Sequence, residues 1–192
     1  KRTSLSEYRT QGRGGIGSKA AATKEDDFTE HLFVAQAHNY LLIFTAKGQV
    51  YWKKAYEIPE GAKTSKGRAI QNLLNIEAGD SVRAVINVKN LEDQDYINNT
   101  FVILCTEQGT IKKTSLEAYS RPRANGITAI TIHDGDRLLE AALTNGNNHI
   151  IIAKSEGKAV HFNESDVRPM GRTAAGVRGV TLESEQDRVV GM

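Results

Sequence analysis

The stretch best equipped for chemistry lies near the amino terminus: Gln11-Gly12-Arg13-Gly14-Gly15-Ile16-Gly17. Four glycines in seven positions argue against a helix or strand interior, because glycine gives up the most backbone entropy on ordering. The run suits a tight, exposed loop in which backbone N–H groups and one arginine approach an anion closely. Gly12, Gly14 and Gly17 formally satisfy G-x-G-x-x-G, the turn that cradles a dinucleotide pyrophosphate. That chemistry needs a buried apolar strand before the glycines and a helix after them. Ser6-Glu7-Tyr8-Arg9-Thr10-Gln11 is no buried strand, so the formal match fails on context. A basic, glycine-rich loop that grips a phosphate backbone is the better reading.

Side chains for catalysis are poorly arranged. His31, His38, His133, His149 and His161 are scattered, with no H-x-x-x-H or H-E-x-x-H spacing for a metal. Glu25-Asp26-Asp27 has the charge to bind a divalent ion but reads first as an exposed acidic turn. Ser115 and Ser120 lack the context of a nucleophile elbow. A single cysteine, Cys105, ends an apolar run and reads as a buried thiol in a reducing compartment. No catalytic or metal-ligating residue is assigned.

Basic residues follow a pattern. Lys1, Arg2, Arg9 and Arg13 form a first group, Lys53 and Lys54 a second, and Lys63, Lys66 and Arg68 a third. Lys112, Lys113, Arg121 and Arg123 come next, then Arg168, Arg172 and Arg178. Acidic residues concentrate elsewhere, in 25–27, 92–95 and 183–187. The formal charge of +2 says little about partners, whereas recurrence at equivalent positions predicts a positive rim. Solvated edge strands account for some of these charges. A rim that tracks a phosphate backbone accounts for their periodic placement.

The elements that must position these residues are repeats. Lys1-Arg2-Thr3-Ser4-Leu5-Ser6-Glu7-Tyr8 returns as Lys112-Lys113-Thr114-Ser115-Leu116-Glu117-Ala118-Tyr119, and Gly15-Ile16 then falls on Gly126-Ile127. A second family, an apolar strand followed by a glycine turn and another strand, spans 41–51, 101–111 and 149–160. A third closes on Asp80, Asp136 and Asp187. Equivalent positions lie roughly 48 to 61 residues apart, the range of propeller blades. Strands are expected at 32–37, 40–45, 49–54, 70–76, 82–88, 100–105, 110–114, 127–132, 138–143, 148–153, 158–162, 177–182 and 188–192. One short helix is expected at Ser18–Asp27, and 60–68 and 89–99 read as surface loops.

These features predict an all-β, blade-type fold with repeats near 1–54, 55–114, 115–162 and a partial 163–192. A chain of 192 residues, 39% hydrophobic and 25% charged, can bury a core. No apolar run reaches the ~20 residues of a membrane helix, and no secretory signal is visible. The chain opens and closes inside a repeat, which reads as a piece of a larger array.

The residues resemble the carboxy-terminal domain of the DNA gyrase A protein. Gln11–Gly17 is similar to its gyrase A-box, a glutamine–basic–arginine–glycine–glycine–basic–glycine loop. Leu5-Ser6-Glu7-Tyr8, Glu25-Asp26-Asp27-Phe28, Lys66-Gly67-Arg68 with Asn72-Leu73-Leu74, and Thr173–Gly179 also match. The likeness covers essentially the whole chain. It implies a β-pinwheel, a propeller-like disc usually of six blades that exchange strands, with duplex DNA wrapped on a basic perimeter. It further implies a role in ATP-dependent negative supercoiling, with ATP and Mg2+ used by the holoenzyme and no cofactor in this domain. Implied partners are the rest of gyrase A and its companion gyrase B, as an A2B2 heterotetramer in the bacterial cytoplasm and nucleoid, with no membrane.

DNA contacts are expected from Gln11, Arg13, Gly14, Gly15, Gly17, Arg9, Lys53, Lys54, Lys66, Arg68, Lys112, Lys113, Arg121, Arg123, Arg168, Arg172 and Arg178. Gly12 and Ile16 depart from the family pattern by standing where basic side chains are usual, so no phosphate contact is assigned to them. Two alternatives stay open: the equivalent domain of topoisomerase IV, and a propeller-type protein-interaction module.

Overall fold

The three apolar runs become the central strands of three antiparallel sheets. The computed structural model describes residues 1–25 and 27–192. In chain order these form β1 (Tyr40–Thr45), β2 (Gln49–Lys54), β3 (Val82–Val88), β4 (Phe101–Thr106), β5 (Thr110–Ser115) and β6 (Ile127–Thr128). β7 (Leu138–Thr144), β8 (His149–Lys154), β9 (Ala159–Asn163), β10 (Val177–Arg178) and β11 (Val189–Gly191) follow. One α-helix, α1 (Gln94–Asn99), lies between β3 and β4.

Sheet order is β3-β1-β2-β6 in the first blade, β7-β4-β5-β10 in the second and β11-β8-β9 in the third. The innermost strands pack on one another, β3 against β7 and β7 against β11, which leaves β6 and β10 at the periphery. Leu42 and Phe44 join Val102 and Leu104 in a core between blades one and two. The alternate residues Ile103 and Cys105 join Ile150 and Ile152 between blades two and three. A strand packed on both faces needs apolar residues without alternation, which explains the unbroken runs. Burial pushes the Cys105 thiol up to about 12, so it is inert at neutral pH.

Each hairpin is closed by the aspartate that ends the third repeat family. Asp80 Oδ1 accepts from the Lys47 N–H at 3.0 Å, Asp136 Oδ1 from Gln108 at 3.0 Å and Asp187 Oδ1 from Glu156 at 3.4 Å. In blades one and two the turn carbonyl then serves the next blade. The Gly48 carbonyl accepts from Ala129 at 2.7 Å and Ile130 at 3.2 Å, and the Gly109 carbonyl from Gly179 at 2.8 Å and Val180 at 3.2 Å. Each four-stranded blade therefore takes its outermost strand from the following repeat, Thr128 pairing with Gln49 and Arg178 with Thr110.

That exchange corrects several expectations. The strands expected at 127–132 and 177–182 last only two residues, because two successive N–H groups converge on one carbonyl and cannot extend a ladder. Residues 32–37 form no strand, and 70–76 hold a 3-10 turn (Ile70–Asn72) followed by irregular chain. Leu74 there packs across Leu41, Ile43 and Tyr51, and the Tyr51 hydroxyl donates to the Asn75 carbonyl at 2.9 Å. No helix forms in the described part of 18–27, Asp26 lying outside the described residues. A stretch that short is marginal alone, and its backbone is committed elsewhere: Ala20 accepts from Tyr8 and Ala22 donates to Lys63. The helix falls instead in 89–99, where Asp93 accepts from the Tyr96 N–H at 3.1 Å and buried Ile97 anchors it.

Gly109 and Gly157 occupy the same turn position with φ of 88° and 81°. A Cβ at Gly109 would lie 2.8 Å from the Val180 carbonyl oxygen, whereas one at Gly157 meets open space. Gly157→Ala should cost only the left-handed backbone penalty, about 1–2 kcal/mol. Gly109→Ala should cost clearly more in urea unfolding, the excess measuring the blade-to-blade approach. Equal costs would argue against it.

Candidate nucleic-acid interface

Four basic loops are built alike. Each follows a 3-10 turn, at Leu5–Glu7, Ala55–Glu57, Leu116–Tyr119 and Glu164–Asp166. The last three turns dock on the start of their own blade, Ala55 donating to the Asn39 carbonyl, Leu116 to Thr100 and Glu164 to Asn148. Each loop ends at a positive-φ glycine: Gly17, Gly67, Gly126 and Gly176. Between these points the later loops run along the outer edge of the preceding strand. Arg2 bridges Glu60 and Lys113 bridges Pro169, both in parallel, and the Met170 N–H reaches the Lys113 carbonyl at 2.7 Å. After Gly126 and Gly176 the chain enters β6 and β10, the outermost strands. The loops therefore lie on the perimeter.

Arg9, Arg13, Lys66, Arg68, Arg121, Arg123, Arg168 and Arg178 are exposed, and among the described residues none forms a salt bridge. At the hairpin ends many charges are paired, although among the described residues Arg137 and Arg188 stand exposed there without a salt bridge. Lys47 meets Glu77, Arg83 meets Glu107, Lys158 meets Glu183, and buried Lys154 meets both Glu183 and Asp187. The exposed, unpaired cations of the loops and outermost strands form a cationic rim.

Other expected contacts are drawn inward. Lys53 pairs with Glu57, and Lys54 lies over the Tyr40 ring while donating to the His38 carbonyl at 3.0 Å. Arg172 is half-buried, its Nη1 donating to the Thr128 carbonyl at 2.6 Å. Lys112 and Lys113 are corrected outright, because they are buried at 0% and 4% exposure and no phosphate can reach their ammonium groups. Lys112 Nζ donates to the Ala129 carbonyl at 2.6 Å and to the Arg172 carbonyl. Burial, with the Arg172 charge adding to it, lowers Lys112 from 10.5 to about 8. Lys113 pairs with fully buried Glu164 at 3.2 Å. Burial opposes the Glu164 charge, yet the Asn148 N–H, the Thr144 hydroxyl and Lys113 together hold it below the usual carboxylate range.

A signal for this burial was present in the sequence. Counted from the turn glycines Gly48 and Gly109, Lys112 and Lys113 occupy the places of Tyr51 and Trp52. Tyr51, Trp52, Lys112 and Lys113 all send an O–H or N–H at the end of a long stem to a backbone carbonyl, those of Asn75, Tyr119, Ala129 and Glu164. Asp80, Asp136 and Asp187, which recur at the close of the third repeat family, cap the hairpin turns, a role that their recurrence alone does not specify.

In the Gln11–Gly17 loop, the chain turns at Arg13-Gly14, with the Gly15 N–H donating to the Gly12 carbonyl at 3.0 Å. Gln11 Oε1 accepts from the Gly17 N–H at 2.7 Å. Arg13 stands at the apex.

The model of the DNA gyrase C-terminal domain, a β-propeller, matches residues 1–36, 39–89, 100–145 and 149–192. The chain belongs to this family. It is 42% identical to the DNA gyrase A protein of Salmonella typhimurium over 188 residues, which is 98% of this chain and 21% of that protein. The chain thus spans about a fifth of the length of such relatives. A solved DNA gyrase A C-terminal domain superposes with a TM-score of 0.71 at 26% identity, over 98% of this chain and 58% of that one. A topoisomerase IV C-terminal domain gives 0.71 at 29% identity, over 81% of this chain and 46% of that one. The β-pinwheel reading is thereby met.

The buried lysines can be tested apart from any DNA. Unfolded Lys112 releases its proton near 10.5 and the folded chain near 8, so folding disfavours the charged form. Below pH 8 both states are protonated and the folded state bears that cost. Between 8 and 10.5 the folded state deprotonates first, and stability rises with pH. The unfolding free energy of wild type relative to Lys112→Met should therefore grow over that window, and a flat difference would contradict the burial. Lys113→Ala strands the Glu164 carboxylate and should cost about 3–5 kcal/mol at pH 7.

Proposed function

We propose that this chain is a DNA-wrapping module of gyrase A, non-catalytic in itself. The observation that carries the reading is the succession of exposed, unpaired arginines and lysines on the loops and outermost strands of consecutive blades. Cations so placed neutralise phosphates and release counterions, which gives affinity with little sequence information. The angle between blades sets the bend. Smoothly bending a short duplex costs about 1–6 kcal/mol, so several contacts must act together.

Within a complete type IIA topoisomerase, the wrap would present a second duplex segment for ATP-driven strand passage and so support negative supercoiling. ATP and Mg2+ would act in other parts of that enzyme, assembled from the rest of gyrase A and from gyrase B as A2B2 in the bacterial cytoplasm. The tyrosines of this chain are not its strand-cleaving nucleophile. Tyr51 and Tyr119 spend their hydroxyls on backbone carbonyls, and burial raises the Tyr119 phenol further. The topoisomerase IV reading shares the blades, and the glutamine-to-glycine loop at 11–17 favours gyrase.

Fluorescence anisotropy with unrelated duplexes should give similar affinities, with log K falling linearly against log salt at about 0.9 per neutralised phosphate. Arg121→Ala and Arg123→Ala should each reduce that slope by about one. Salt-independent binding would remove the proposal. Nicked circles religated with the protein bound should change linking number, and no change would rule out wrapping even if binding held.

A further inference from the structure

Among the four basic loops, the first differs in how its central cation is held. Four residues before the terminal glycine stand Arg13, Lys63, Pro122 and Arg172. Lys63 lies over the Tyr8 ring at 4.4 Å, and Arg172 donates to the Thr128 carbonyl at 2.6 Å. Arg13, among the described residues, has no hydrogen-bond or salt-bridge partner for its guanidinium and is exposed. What this loop has instead is an internal closure. Gln11 Oε1 takes the Gly17 N–H at 2.7 Å, and the residues at the matching positions, Gly61, Ser120 and Met170, offer no such carboxamide.

Gly15 reports on the same closure. A Cβ built there would lie 2.8 Å from Gln11 Oε1, 3.1 Å from Gln11 Cβ and 3.2 Å from the Gly12 carbonyl oxygen. At Gly12, Gly14 and Gly17 a Cβ meets open space, so crowding inside this loop is confined to Gly15 and comes mainly from Gln11. Gly14, with φ of 88°, takes the third place of the turn and leaves Arg13 at the second. The glutamine, read from sequence as a DNA contact, has its acceptor turned inward.

We propose that Gln11 is a positioning residue: it closes the 11–17 loop onto Gly17 so that Arg13 stands free at the apex as the phosphate contact of the first loop. This rests on the DNA-wrapping reading above. The test compares Arg13→Ala, Gln11→Ala, Gln11→Glu, Gly15→Ala and the Gln11→Ala/Gly15→Ala double variant in the full chain. Each is measured by the salt slope of duplex binding, the temperature coefficient of the Gly17 amide proton shift and the thermal midpoint.

Arg13→Ala should lower the slope by about one and leave the Gly17 amide unchanged. Gln11→Ala should lower the slope equally and free the Gly17 amide, with an unchanged midpoint. Gly15→Ala should reproduce both effects by displacing the glutamine, and the double variant should be no worse than either single change. Gln11→Glu keeps an acceptor for Gly17 and should keep the amide signature and the slope, while its negative charge lowers affinity. If Gln11 touches DNA directly, Gln11→Ala weakens binding without freeing the amide and Gln11→Glu is the worse variant, which would overturn the proposal. A slope insensitive to Gln11→Ala but lowered by Arg13→Ala would also overturn it and leave the DNA reading intact. A wild type that binds no duplex ends both readings, and the Gly17 amide then shows whether the loop closure itself was real.

Discussion

The arrangement depends on one backbone interaction, a turn carbonyl in each of the first two blades accepting two N–H groups from the chain that builds the next. Gly48 holds Ala129 and Ile130, and Gly109 holds Gly179 and Val180. An exposed sheet edge is a row of unpaired donors and acceptors that invites aggregation. Here the later repeat covers it with a two-residue strand, so no blade can be completed without its successor. The covering segment must first cross from the far end of its own blade, and that crossing is the basic loop. Closing the edges and placing cations on the perimeter are consequences of one chain path.

The same path explains the buried lysines. The chain around each second hairpin strand leaves carbonyls to be satisfied, at Asn75 over a blade face, at Tyr119 and Glu164 in 3-10 turns and at Ala129 just after β6. A long stem with a polar tip solves this whether the tip is a phenol, an indole or an ammonium. In the first blade Tyr51 and Trp52 do so without charge. In the second, Lys112 is still charged at neutral pH and is held by the Ala129 and Arg172 carbonyls, its pKa lowered to about 8 by burial, and Lys113 is compensated by Glu164. Buried charge is tolerated where geometry is good and costly when one partner goes.

Much of the architecture was legible because repeats leave a register. The hairpins at Lys47-Gly48, Gln108-Gly109 and Glu156-Gly157 and their flanking strands fall within about a residue of expectation. Failures occur where tertiary contact overrides local pattern. Segments 70–76, 127–132 and 177–182 have strand composition but lie over a blade face or end on a shared carbonyl. The three alanines at 20–22 favour helix but have no apolar stripe to bury. Lys112-Lys113 looked like surface because charge usually is surface. Aligned on the turn glycine, their equivalence to Tyr51-Trp52 shows that position within the repeat outweighs residue type. The positive rim was legible in outline through Arg121, Arg123 and Arg168, whereas the inward turn of Gln11 depends on a side-chain bond that no composition or spacing reveals.

Charge placement then follows from where compensation is structurally required. At the hairpin ends the turn amides need acceptors, so aspartates gather there, and several of the surrounding carboxylates find lysine or arginine partners. Along the perimeter the crossing loops satisfy their backbones largely with carbonyls, tyrosines and ammonium groups, and use few carboxylates, Glu7 accepting from the Lys63 N–H at 3.3 Å being one. Arginines added to those loops remain uncompensated. Their field is not cancelled locally, so it extends into solvent over roughly a Debye length, about 8–10 Å at physiological salt. A surface of that kind binds a polyanion by its line of charge. The angle between one blade and the next then determines how far that line bends whatever lies along it.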